Sequence, residues 1–219
     1  MPRNKPVSER IYVDFDRALK RLWENANAVD RICDALASHQ NRAMTHAFPH
    51  IRGETQRHYS VVELRNSANS IREDHVWDWS LIVAFALTDA WLQDAVNHLH
   101  SRFPDMLATA RSRRYNAATP SFSTSFFEND KAGITLAFPS GDPLVTEFVK
   151  WKEARNCLVH HGGRVSSRYA ALCTPHPPIG KKLKITSTDA RMACRAIFLL
   201  ADEVQWHIRK EFRRRRVRP

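Results

Sequence analysis

Apolar residues recur along most of this chain at three- and four-residue steps, the spacing of helices that turn one face inward. Ile11, Phe15, Leu19, Leu22, Ala26, Val29, Cys33 and Leu36 form one such stripe and predict a first helix starting near Ser8. A second is expected after Ser60, with Val61, Leu64, Ala68 and Ile71 in phase; Glu63, three residues beyond Ser60, completes a reciprocal cap pattern. From Trp77 to Trp91 the chain is apolar on most faces, then amphipathic through Val96 and Leu99 to His100. A helix apolar all round belongs at the centre of a bundle. Asp142 before Pro143 marks another helix start, running through Leu144, Phe148, Trp151, Arg155 and Val159 to a stop at Gly162-Gly163. The last helix opens at Thr186, with Asp189 at its third position, and carries Ala193, Ala196, Ile197, Leu200, Val204 and Ile208.

Between these lie His39 to Tyr59, read as a connection, and Arg164 to Ile185, an irregular stretch with a Lys181-Lys182-x-Lys184 cluster. A third, Arg111 to Gly141, is too long for a structureless loop in a compact domain and reads as an ordered insertion or a functional segment. The expected architecture is all-α, an antiparallel bundle of four to five long helices with this irregular insertion at about 111–141. One domain over 1–208, followed by a basic tail over 209–219, accounts for the 219 residues. Only 6 glycines and 11 prolines interrupt them, as helices require.

Composition adds a partner class. With 43% apolar and 26% charged residues the chain can fold. Its 34 Lys and Arg against 23 Asp and Glu give a net charge of +11, which points to a polyanion, nucleic acid before an anionic membrane. The longest apolar run, Leu81 to Leu87, falls far short of a membrane span, and residues 1–6 have no apolar stretch behind them to make a secretory signal. Cys33, Cys157, Cys173 and Cys194 show no paired spacing; they read as reduced thiols of a cytoplasmic protein, and no metal or cofactor is expected. His160-His161 with His176 do not form a ligand set, since adjacent histidines on a helix point apart.

The chemistry concentrates in Glu153-Ala-Arg155-Asn156-Cys-Leu-Val-His160-His161-Gly-Gly163. At 100° per residue Arg155 falls about 20° from Phe148, inside the apolar stripe, where a guanidinium needs either a partner or the mouth of a cleft. Asp89 and Asp94 are candidate partners, Asp89 because it sits among Ala86, Leu87, Ala90 and Trp91. Asn156 and His160 share one flank, four residues apart. These types suit RNA cleavage: an imidazole can take the 2′-hydroxyl proton or give one to the leaving 5′-oxygen, and a guanidinium matches the charge growing on the phosphate.

Arg155-Asn156-x-x-x-His160 followed by glycines resembles the signature of the HEPN-domain proteins (higher eukaryote and prokaryote nucleotide-binding), many of them ribonucleases. The resemblance covers six residues. It implies an all-α bundle, a homodimer whose two motifs face each other, and metal-independent cleavage leaving a 2′,3′-cyclic phosphate. Arg155 would bind the phosphate, Asn156 would be the polar residue after it, and His160 the catalytic histidine, with His161 also within the looser spacing. It implies, too, the setting of many members, toxin–antitoxin or antiviral systems, with an antitoxin or regulatory protein as partner. Arg52 to His58 fits the bare spacing, but contains Gly53 in a loop-like stretch.

Arg111, Arg113 and Arg114 with Tyr115 and Phe126-Phe127 either form an RNA-binding surface or are loop and partial core. Arg213, Arg214, Arg215 and Arg216 either contact RNA phosphates or end the chain in solvent. The contrasting function is a non-catalytic bundle that binds nucleic acid or scaffolds a partner.

Overall fold

The structure, a computed structural model, describes residues 7–38, 44–50, 53–59, 61–105, 138 and 141–216, though not every side chain within them. Helix α1 is Val7–Ser38, α2 Val61–Asp74, α3 Val76–Arg102, α4 Pro143–His160, α5 the short Ser167–Ala171 and α6 Ser187–Arg216. Strands β1 (Met44–His50) and β2 (Gly53–Tyr59) form an antiparallel hairpin. The protein is a helical bundle, as its periodicity predicts.

Helix α3 is the hub. It packs against α1, α2, α4 and α6, and its buried residues, among them Trp77, Leu81, Phe85, Trp91, Leu92, Val96 and Leu99, point in all directions. Phe15 of α1 stacks on Trp91 with ring centroids 5.1 Å apart, and Phe148 of α4 meets Phe85 at 5.3 Å. Each buried aromatic of this kind contributes roughly 2–3 kcal/mol by removal of apolar surface from water. From α6, Ile197, Leu200, Val204 and Ile208 complete the same core.

The helix ends follow the predicted signals. The Asp142 carboxylate accepts from the Leu144 and Val145 amides at 2.8 and 3.3 Å, satisfying donors that the first turn of α4 leaves open. At the head of α6, Asp189 N–H donates to Thr186 Oγ1 (3.1 Å) while Asp189 Oδ2 accepts from the Thr186 amide (3.0 Å).

Three segments differ from the sequence reading. Most of the expected connection 39–59 is the hairpin, in which Met44 faces Tyr59 and His50 faces Gly53; Thr45, Phe48, Thr55 and Tyr59 favour strands, a signal that Pro49 and the polar neighbours obscure. The stretch 164–185 contains α5 and folds back on itself, with Arg164 bridging Lys182. Helix α6 does not give way to a tail at 209 but continues to Arg216, since no Gly or Pro interrupts 187–216. The segment 106–137, most of the expected insertion, lies outside the described residues.

Candidate active site

Helix α4 supplies the whole motif. Leu144, Val145, Phe148, Trp151, Ala154 and Cys157 hold it against the core, which fixes the direction of the intervening polar residues. Arg155 is half-buried on the α3 side. Its Nη1 donates to Asn156 Oδ1 at 3.2 Å, and its buried Nε has no acceptor among the described residues. Among the described residues no carboxylate makes an ion pair with it.

Asp89 approaches Arg155 without touching it. Burial raises the Asp89 carboxyl above the ordinary aspartate range, although the charges of Lys152 and Arg155 act in the opposite direction. Burial also lowers the Lys152 ammonium, against the pull of Asp89 and Glu153. Arg155, Lys152 and Asp89 thus form one electrostatic cluster between α3 and α4. Lys152 is absent from the sequence reading, and its position three residues before Arg155, on the same flank, was the available signal. Asp94 is exposed.

His160 is the last helical residue of α4 and is exposed, as is His161, the C-cap. The turn beyond needs left-handed backbone at two consecutive residues, which Gly162 (φ 59°) and Gly163 (φ 73°) supply. It brings the Gly163 amide to the Cys157 carbonyl (3.0 Å), which also accepts from His161 N–H (3.2 Å). Asn156 and His160 lie on one flank of the helix, as their spacing requires, but among the described residues no hydrogen bond joins His160 to Asn156 or Arg155.

The chain after this turn is tied down near the histidines. The Ser166 amide donates to Cys157 Sγ (3.3 Å), Leu183 N–H to the Gly163 carbonyl (2.7 Å) and Arg164 Nη1 to the Gly180 carbonyl (3.0 Å). The ladder brings exposed Lys181, Lys182 and Lys184 to the strand opposite Gly163–Val165, just past His160. Sequence alone displays this lysine cluster but not its position; the pairing between 163–165 and 180–183 decides it.

The arginines assigned to RNA divide. Arg111, Arg113 and Arg114, with Tyr115 and Phe126-Phe127, lie outside the described residues. Arg213 is exposed on α6, Arg214 donates to Glu211 at 2.7 Å, and Arg215 is held by Glu211 and Asp105 while lying over the Phe103 ring. Arg216 is the last helical residue, its side chain outside the description. The Arg52–His58 pattern falls partly on strand β2 and partly outside the described residues.

Two clefts open elsewhere. One of about 260 Å³ between α1 and α6 is lined by Leu19, Trp23, Cys194 and Phe198; another of about 340 Å³ lies beside Glu147, Lys150, Tyr169 and Asp189. Neither includes Arg155 or His160. The four cysteines are free thiols, and among the described residues no group of three His, Cys, Asp or Glu is placed to hold a metal ion. Among the same residues, no helix is long and apolar enough to cross a membrane. Compared with known proteins, the chain matches no family model, no curated protein and no solved structure.

Proposed function

We propose that the protein is a HEPN-like endoribonuclease that cuts RNA by attack of the ribose 2′-hydroxyl, with Arg155 and His160 as its working pair and RNA as its partner. The observation that carries the reading is the state of Arg155: a half-buried guanidinium hydrogen-bonded to Asn156 and, among the described residues, in no ion pair with a carboxylate, on the same helix as an exposed histidine. Such a group offers its fork of donors to a phosphate. His160 serves as base or acid toward the 2′-hydroxyl or the 5′-oxygen, and Asn156 steadies the guanidinium. Lys181, Lys182 and Lys184 add positive charge beyond His160 for the flanking phosphates. A homodimer with a shared site, a silencing antitoxin or regulatory protein, a role as a toxin or in antiviral defence, and a cytoplasmic setting belong to the same proposal and rest on the resemblance and on composition.

The test is incubation with RNA in excess EDTA. Cleavage should survive chelation, leave a 2′,3′-cyclic phosphate, disappear in His160→Ala and Arg155→Ala, and spare a substrate with a 2′-deoxy sugar at the cut position. Equal cutting of that substrate would exclude 2′-hydroxyl attack. The second reading, a non-catalytic nucleic-acid-binding or scaffold bundle, is favoured by the net charge of +11, which suits a polyanion without requiring catalysis. Salt-sensitive RNA binding without cleavage would select it.

A further inference from the structure

Helix α6 buries one side in the core and turns the other to solvent, and that outer side is not uniformly polar. Met192 (44% exposed), Leu199 (45%) and Trp206 (51%) stand on it seven residues apart. At 100° per residue a seven-residue step closes to within about 20°, so the three form one ridge along roughly four turns. Three large apolar side chains in line on an exposed helix are a docking stripe rather than scattered surface residues. Exposed Arg195, Asp202 and Glu203 stand between them, and Lys210 lies over the Trp206 ring at 4.9 Å.

The pattern is complementary to itself in one direction. If two α6 helices cross antiparallel with Leu199 on the twofold axis, residues equally far before and after position 199 face each other. Met192 then meets the other copy's Trp206, a favourable sulfur–aromatic contact, and Arg195 meets Glu203. In the parallel arrangement Arg195 would face Arg195 and Glu203 would face Glu203, which repels. The acidic pair Asp202 and Glu203 in mid-stripe also disfavours an anionic lipid surface. Beside the ridge, at the level of Met192, lies the apolar cleft of about 260 Å³ between α1 and α6, whose lining includes Trp23, Cys194 and Phe198. An antiparallel partner delivers an indole to its edge.

We infer that the outer ridge of α6 is a self-docking surface, on which a second copy of this chain pairs antiparallel through Met192, Leu199 and Trp206. It includes none of Arg155, Asn156 and His160, so it stands or falls apart from the ribonuclease reading. That reading's dimer brings the two motifs together; this one is defined by α6.

The test is sedimentation equilibrium of the full chain, with helicity checked by circular dichroism. The wild type should self-associate reversibly, to a dimer through α6 alone and to a larger assembly where the motifs also pair. Leu199→Glu should weaken the dimer by about thirtyfold or more, as loss of a central apolar anchor does. Arg195→Glu and Glu203→Arg should each weaken it, and the double variant should restore it, because the swap rebuilds the pair across the interface. A mixture of Met192→Cys and Trp206→Cys chains should form an interchain disulfide on mild oxidation that neither the wild type nor either variant alone gives. A chain that stays monomeric to its solubility limit, a dimer indifferent to Leu199→Glu, or crosslinking of Met192→Cys with itself would overturn the inference. So would a monomer whose binding to anionic vesicles Leu199→Glu abolishes, which would identify a lipid surface as the occupant.

Discussion

Arg155 gives its side-chain hydrogen bond to its own sequence neighbour, Asn156, at 3.2 Å, and not to the Asp89 carboxylate across the α3–α4 boundary. The distinction matters. A buried ion pair would make this arginine a structural strut, whereas an amide oxygen orients the guanidinium without cancelling its charge, and Asp89 acts on it only from a distance.

Asn156→Asp should therefore separate stability from function. A carboxylate in place of the amide would pair with Arg155 and cancel much of its charge. The unfolding midpoint should stay level or rise slightly, while RNA cleavage should fall about a hundredfold, the scale set by loss of one phosphate-stabilising donor. Thermal melts and initial rates on one RNA would check it; undiminished cleavage would show that Arg155 does not need to be free.

Asp89 offers a pH-dependent test. Burial places its folded-state pKa above the unfolded one, so the fold binds this proton more tightly than the unfolded chain does. The favourable contribution is then complete below the ordinary aspartate pKa and is lost as pH rises through the raised value. Asp89→Asn should accordingly be more stable than wild type at neutral pH, with the advantage fading as pH falls from the raised value to the ordinary aspartate pKa. Urea titrations at several pH values measure this, and the opposite trend would mean that Lys152 and Arg155 outweigh burial.

The exit from α4 depends on two positive φ angles, and nothing among the described residues lies within 4 Å of a Cβ built on Gly162 or Gly163. The cost of alanine there is thus backbone strain alone, about 1–2 kcal/mol at each position. If the turn also sets His160 against the lysine ladder, Gly163→Ala should reduce cleavage more than its loss of stability explains. Denaturant midpoints and rates taken well below the transition would show whether the two effects part.

Lys181 and Lys184 are exposed beside this turn, while Arg215 is engaged by Glu211 and Asp105. Burial pushes the Glu211 carboxyl up, but Arg214 and Arg215 outweigh it and hold the group below its usual range. Lys181→Gln and Lys184→Gln should each lower the salt dependence of RNA binding by about one ion without affecting folding. Arg215→Gln should instead loosen the packing of α6 on Phe103 and act mainly on stability. Binding isotherms at several salt concentrations, beside melts, distinguish the two.

Phe148 joins the motif helix to the hub. It is 1% exposed and meets Phe85, so Phe148→Ala should cost about 3–5 kcal/mol. A drop of well under half that size in chemical denaturation would mean that α4 is less firmly packed than its burial indicates.

The periodicity of the chain determined that helices form and roughly where they run. Asp142, Thr186 with Asp189, and Gly162-Gly163 determined where several begin or end, because caps and left-handed turns are local chemistry. The sequence also located Arg155 on an apolar face and Asp89 among apolar neighbours, which is why both needed an explanation. Packing alone decided the rest. Val29 lies in the predicted stripe of α1 yet is 41% exposed, and Trp206 is exposed while Trp151 is buried, since a stripe names a face but not the neighbour that covers it. The approach of Lys152 to Asp89 and the lysine ladder beside His160 come from contacts between segments distant in the chain. Local spacing carries no information on such contacts: they arise only when separate helices and loops are brought to the same place by burial of a common core.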